Sequence, residues 1–373
     1  MREGNDRGRT ETATHGGAEA MASAVARVET ANGQIPDEEM LRLISELYYV
    51  RDQSQSTIAE LTGFSVSKVS RLLSQAREAG IVHITVQAAP ALLEDHARRL
   101  AEALQLSEAH VTPGRSDDPR RATRLCAVAA APWVAAAIPE SGVLGLAGGY
   151  TVAAMVDAFP TRRCPHLTIV PLVGGWDPGT PYLDINELSR RAADRLSCGY
   201  QLLHAPGRLD SVAVRDALLN DSAIRVTTDY WDRLSMAVIG ISGGPHTVPG
   251  YTTVMDRLTP DERDRIESHG VVGDMVGHLF GIDGQILDDD PTADRTLAAP
   301  LSALRRTPHV IAIAAGRHKV NGIIGACRTG LVHTLVTDQP TAEGILRRLG
   351  GELAASDPGG DTATGASNGA AAD

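Results

Sequence analysis

Between residues 36 and 79 the apolar positions form three short helical patterns. Met40, Leu41, Ile44, Leu47 and Tyr48 recur at helical spacing. They follow Pro36-Asp37-Glu38-Glu39, a start with acids at the positive end of the helix dipole. Residues 54–61 make a second helix, broken by Thr62-Gly63-Phe64. Ser65 caps a third, which runs to about Ala79 and stops at Gly80. Its apolar residues Val66, Val69, Leu72 and Leu73 can pack inward. Ser67, Lys68, Ser70, Arg71 and Gln75 supply its polar side. Residues 80–86 then alternate as a strand does. Pro90 opens a further helical recurrence through Leu92, Leu93, His96, Leu100, Ala103 and Leu104, expected as a connector.

From about His110 the pattern becomes short apolar runs separated by helical stretches. The runs are 143–147, 167–172, 236–241, 310–314 and 331–337. The helical stretches are 120–137, 151–159, 185–196, 211–219 and 261–278. Apolar strands alternating with helices predict an α/β domain with a mostly parallel sheet covered on both faces. In such a sheet ligands bind beyond the strand C-termini, near helix N-termini. The expected organisation is a flexible leader (1–35), a winged helix-turn-helix (36–88), a connector (89–108), an α/β domain (109–352) and a disordered tail (353–373).

Length and charge narrow this. A chain of 373 residues fits two or three domains. Lys+Arg number 35 against 46 Asp+Glu, a formal −11, so nucleic-acid contact must be local. Only two of those 35 are lysines, Lys68 and Lys319. Cys126, Cys164, Cys198 and Cys327 contain no CxxC pair, which argues for a reducing cytosol. The leader has no apolar signal region, and no stretch approaches 18 apolar residues. A cytoplasmic protein without a membrane span is expected.

The N-terminal spacing carries chemistry. Ala59 is small where two helices must approach, and Gly63 lies in the turn where positive φ is cheap for glycine. This is helix-turn-helix spacing, with the second helix entering the major groove. Ser65, Ser67, Lys68, Ser70 and Arg71 are the candidate contacts to double-stranded operator DNA. The competing reading is a helical hairpin that docks another protein.

Four loops sit where a ligand of the α/β domain would bind. Gly145-Leu146-Ala147-Gly148-Gly149-Tyr150-Thr151 offers backbone N–H groups and a hydroxyl to an anion. Gly174-Gly175 and Gly243 lie in two further glycine loops. Ala315-Gly316-Arg317-His318-Lys319 adds positive charge. Asp274 and Asp338 are candidates to orient ligand hydroxyls. There is no GxGxxG after the first strand, no GxxxxGK[ST] and no metal-ligand spacing, so no cofactor or metal is expected.

In order and spacing these blocks resemble SorC/DeoR-type sugar-binding bacterial transcriptional regulators. The resemblance covers about residues 38–349. It rests on Ile58-Ala59-Glu60-Leu61-Thr62-Gly63, Val69-Ser70-Arg71-Leu72-Leu73, the glycine loops, Leu203-His204-Ala205-Pro206, Val272-Gly273-Asp274, Gly316-Arg317-His318-Lys319 and Leu335-Val336-Thr337-Asp338. It implies an effector domain resembling the Rossmann-like sugar-phosphate isomerase and deaminase fold, without its chemistry. It implies a phosphorylated sugar effector, with phosphate at Gly148, Gly149 and Thr151. Lys319 would face the sugar or a second phosphate. It also implies homo-oligomers, dimers or tetramers. Two positions depart from the family pattern: Val66 replaces a common arginine, and Arg317 replaces a second glycine.

The expected function is thus a DNA-binding regulator of carbohydrate metabolism, not an enzyme. Two other classes compete with it. One is a sugar-phosphate isomerase or imine-forming aldolase fused to a DNA-binding module; imine chemistry would need Lys319, the one lysine of the large domain. The other is a protein-interaction module.

Overall fold

The computed structural model describes residues 37–51, 53–82, 90–114, 118–175, 183–244, 258–287 and 293–356. The expected leader and the last part of the expected tail lie outside the described residues. The chain divides into two compact units, residues 1–85 and 86–373.

In the smaller unit, α1 (Asp37–Ser45) runs on as a π-helical turn at Glu46–Val50. Helices α2 (Gln55–Thr62) and α3 (Val66–Glu78) follow. Local chemistry sets these ends. Ser54 Oγ accepts from Thr57 N at 3.1 Å, and Ser65 Oγ accepts from Lys68 N at 3.2 Å. Gly63 closes α2 in the left-handed region at φ 71°. Ile44, Leu47, Ile58, Ala59, Val69 and Leu73 form the unit's core. The buried stripe of α3 is Val69, Leu73 and Ala76. Val66 was expected to pack inward, but it stands one turn before that stripe begins, at the helix start, and is 49% exposed. Gly80 lies in a turn and Ile81 and Val82 in a bend rather than a strand; the rest of the expected wing, 83–86, lies outside the described residues.

In the larger unit the elements are α4 (Pro90–Leu104), β1 (Glu108–Thr112), α5 (Pro119–Ala137), β2 (Ser141–Leu146), α6 (Tyr150–Asp157), β3 (His166–Pro171), α7 (Ile185–Leu196) and β4 (Gly199–Tyr200). There follow α8 (Val212–Asn220), α9 (Ser222–Thr228), β5 (Met236–Gly240), α10 (Pro260–Ser268), β6 (Val271–Met275) and β7 (His278–Gly281). The chain closes with α11 (Leu301–Arg306), β8 (Val310–Ile313), α12 (Val320–Arg328), β9 (Thr334–Asp338) and α13 (Gln339–Ser356). The expected connector, α4, packs into this unit through Leu100 and Leu104. Helix α13 extends to Ser356, into the first residues of the expected tail.

Seven strands form one sheet in the order β1-β9-β8-β5-β2-β3-β4, every pair parallel. Side-chain alternation builds a core on each face. Ala237, Ile239, Val310 and Ala312 face one way; Met236, Val238, Ile311 and Ile313 face the other. From β2 the chain proceeds outward through β3 and β4, and from β5 it proceeds the other way through β8 and β9. Adjacent strands β2 and β5 therefore form a topological switch point, where the loops at their C-terminal ends diverge.

One expectation is corrected here. The stretch 261–278 is not a single helix. Helix α10 ends at Ser268, Gly270 takes φ 69°, and the chain turns into the antiparallel hairpin β6–β7. Val276 (φ 53°) and Gly277 (φ 80°) are both left-handed, as a two-residue hairpin turn requires. Asp274 accordingly sits on a strand.

Candidate functional site

At the switch point a cleft opens with about 620 Å³ of atom-free space, open solvent included. Its walls come from five places in the chain, one of them Val173 in the loop after β3. The loop after β2 and the start of α6 give Gly148, Gly149, Tyr150 and Thr151. The end of β5 gives Gly240, Ile241 and Ser242. The hairpin gives Asp274, Val276 and Gly277, and the turn before α12 gives Lys319.

The α6 end of the cleft has no side-chain cap. Gly149 is the N-cap of the helix, at φ 124°. Its first N–H groups therefore lack a side-chain acceptor. A Cβ on Gly149 would meet nothing within 4 Å, so the backbone there borders open space. Thr151 lies beside it, only 5% exposed.

Opposite this end, Ser242 stitches β5 to the hairpin. Its Oγ donates to Asp274 Oδ1 and accepts from Asp274 N at 2.9 Å. Ser242 N donates to Asp274 O at 3.0 Å. Asp274 is 6% exposed, and burial pushes its carboxyl pKa up against the lowering pull of Ser242, the Gly277 N–H and Lys319. Lys319 is 4% exposed, and its Nζ donates to Ile241 O at 2.9 Å. Burial pulls its pKa down to about 8, outweighing the upward pull of Asp274 and Cys126.

The structure brings together five of the predicted ligand residues: Gly148, Gly149, Thr151, Asp274 and Lys319. It does not bring the others to the cleft wall. Gly174 is tightly packed, and a Cβ there would lie 2.6 Å from Pro206 O and 2.7 Å from Gly207 N. Gly175 N donates to Ala205 O at 2.8 Å. Gly243 lies under α12, its Cα 3.6 Å from where a Cβ on Gly322 would be. Arg317 is exposed outside the lining. Asp338 accepts from Thr341 N at 3.2 Å and holds the Gly316 turn. Burial raises its pKa as well.

Ser242, Tyr150, Val276 and Gly277 line the cleft although the sequence reading did not single them out. Ser242 stood in a glycine loop already flagged, as its one hydroxyl. Val276-Gly277 was hidden by the helical reading of 261–278. Among the described residues no group of three or more His, Cys, Asp or Glu could hold a metal ion. No helix among them is long and apolar enough to cross a membrane.

On the smaller unit, Ser65, Ser67, Lys68, Ser70 and Arg71 are all exposed. Ser65 is occupied as the cap of α3. Lys68 Nζ stands 3.7 Å above the centroid of the Phe64 ring, a cation–π contact at the surface.

Comparison with known proteins places this geometry. The family model described as "Putative sugar-binding domain" matches residues 91–347. The sorbitol operon regulator of Klebsiella pneumoniae is 30% identical over 311 residues, covering 82% of this chain and 96% of that protein. Transcriptional regulator LsrR of Escherichia coli is 25% identical over 312 residues, covering 83% and 95%. The crystal structure of the full-length Klebsiella regulator SorC matches with a TM-score of 0.63 at 28% identity, over 83% of this chain and 99% of that one. These proteins are named as transcriptional regulators, and the Klebsiella structure matches the fold of this chain. The chain belongs to the SorC/DeoR-type family of sugar-binding transcriptional regulators.

Proposed function

We propose that the chain is a DNA-binding regulator whose large unit takes a phosphorylated sugar as effector. The observation that carries the effector reading is the cleft. An uncapped helix N-terminus with Thr151 lies at one end, and Lys319, Asp274 and Ser242 gather at the other. The phosphate belongs at Gly148, Gly149 and Thr151, where backbone N–H groups and the helix dipole favour negative charge. The sugar lies toward Ser242 and Asp274, which take its hydroxyls, and toward Lys319. Arg317 and Asp338 support the turn that carries Lys319, and Gly174, Gly175 and Gly243 pack the walls behind the cleft.

The DNA reading rests on α2, the Gly63 turn and α3. Ser67, Lys68, Ser70 and Arg71 form an exposed polar face on the second of these helices. In a helix-turn-helix that face enters the major groove, with Ser65 fixing the helix start. The relatives' names support the same reading. A dimer or tetramer then links effector to operator, because a ligand that prefers one arrangement of subunits shifts operator affinity by its differential binding.

Two measurements test this. Sugar phosphates, free sugars and polyols are compared by thermal shift, and sugar phosphates should stabilise the protein where free sugars do not. Loss of that shift in Thr151→Val supports the phosphate position; an equal shift by the free sugar overturns it. Gel shift on the gene's own upstream region should show binding at low salt. No shift there would return the small unit to a protein-docking role.

A further inference from the structure

Val66 is the apolar residue of α3 that the core of its unit leaves in the open. Val69, Leu73 and Ala76 are buried and Leu72 is half-buried, whereas Val66 is 49% exposed. It is the first residue of the helix, and the polar side chains around it already have partners within the unit. Ser65 Oγ accepts from Lys68 N, Ser67 Oγ lies 3.1 Å from Ser65 Oγ, and Lys68 Nζ rests over the Phe64 ring. The isopropyl group of Val66 stands in water beside them. Ser70, also exposed, lies one turn further along the same side of the helix.

The proposal rests on the DNA reading above. In a helix-turn-helix the N-terminal residues of the second helix reach base edges in the major groove. A valine there finds one kind of apolar partner. Thymine carries a C5-methyl group, whereas guanine, adenine and cytosine present hydrogen-bond donors and acceptors. Against those three, an isopropyl group takes polar base atoms out of water and returns no hydrogen bond. Against thymine, it buries a methyl group and part of its own exposed surface, which is favourable. We propose that Val66 is a specificity-determining residue that reads a thymine methyl group at the operator position facing the first turn of α3. The contact acts by apolar burial and is independent of salt, unlike the contact of a cation such as Lys68 with phosphate.

Uracil makes the test clean, because it pairs as thymine does and lacks only the methyl group. The full-length protein is footprinted on the gene's own upstream region. Duplexes of the protected sequence are then made with uracil replacing one thymine at a time, and gel shift gives each Kd. At one thymine position, or at that position and its symmetry mate, wild-type affinity should fall about fourfold, the contribution of one buried methyl group. Val66→Ala should bind the thymine duplex more weakly and no longer distinguish uracil from thymine at that position. Val66→Ile, which keeps a branched apolar group, should still distinguish them. Because Val66 is exposed, neither variant should disturb the core of the unit. Indifference of the wild type to uracil at every thymine overturns the proposal. So does an equal loss in wild type and Val66→Ala, which would assign the thymine preference to another residue or to DNA shape. The two failures separate: specific binding that ignores uracil removes only the role of Val66. No binding to the upstream region at low salt removes the DNA reading itself, and this proposal with it.

Discussion

Lys68 and Lys319, one in each unit, are the same side chain in opposite surroundings. Lys68 stands in water at the first turn of α3, its ammonium over the Phe64 ring. Lys319 is buried on the cleft wall and bonded to a backbone carbonyl. The first keeps its hydration and, under the proposed DNA reading, exchanges it for a phosphate oxygen in a screened, salt-dependent contact. The second has already lost its hydration in folding. Under the proposed effector reading, its use is to meet the ligand from the cleft wall. Lysine in this arginine-rich chain therefore marks two different chemistries, and substitution can pull them apart.

The largest effect is expected at Lys319. Met fills a similar volume and removes the buried amine, so Lys319→Met should fold. It should bind the stabilising sugar phosphate roughly 100-fold more weakly, about 2–3 kcal/mol, the range for a lost hydrogen bond to a charged group. Isothermal titration measures this, and DNA affinity without effector should stay unchanged. Retained sugar-phosphate affinity would place Lys319 among the structural residues.

On α3, Arg71→Ala comes next. A lost contact to a base edge weakens operator binding by about 1–3 kcal/mol and relaxes preference at one base pair. Lys68→Ala should do less, about 1 kcal/mol, and evenly across DNA sequences, with a shallower salt dependence. Neither should alter the thermal shift by sugar phosphate. If Lys68→Ala changed sequence preference while Arg71→Ala changed only the salt slope, the rotation assumed for α3 would be wrong.

Legibility in the sequence follows how local the cause is. Ser65, Gly63 and the α3 stripe are readable because caps, turns and periodicity act within a few residues. Strands such as Met236–Gly240 are readable because burial on both faces makes them continuously apolar. Strands β1 and β4 were missed: β1 is an edge strand with Glu108 and His110, and β4 has two residues. The hairpin was missed because its apolar residues also suit a helix, and only Gly270 and Gly277 signal the break. In the site, Gly148-Gly149 and Gly174-Gly175 follow adjacent parallel strands and look alike in sequence. One pair borders open space and the other packs against Pro206 and Gly207. That distinction depends on segments far along the chain, and no local rule contains it. The meeting of Ser242 with Asp274 is of the same long-range kind.

The smallest expected effect is a pH dependence that sharpens the contrast at Lys319 alone. Its pKa in the fold, about 8, is lowered from the ordinary 10.5. The unfolded chain therefore binds this proton more tightly than the folded one between those values. A penalty for burying the ammonium is complete below about pH 8 and fades as pH rises toward 10.5. Stability should thus rise with pH through this group, against the wild-type background of other titrations. Raised thiols at Cys126, Cys198 and Cys327, each pushed by burial to about 12, act in the opposite sense above pH 9. The comparison is best made with Lys319→Met between pH 7.5 and 8.5, where those thiols contribute little. Lys319→Met should be the more stable protein at pH 7.5, and its advantage should shrink by about 0.7 kcal/mol across that unit, roughly 2 °C in Tm. A constant gap for Lys319→Met would mean that the buried amine keeps its proton throughout.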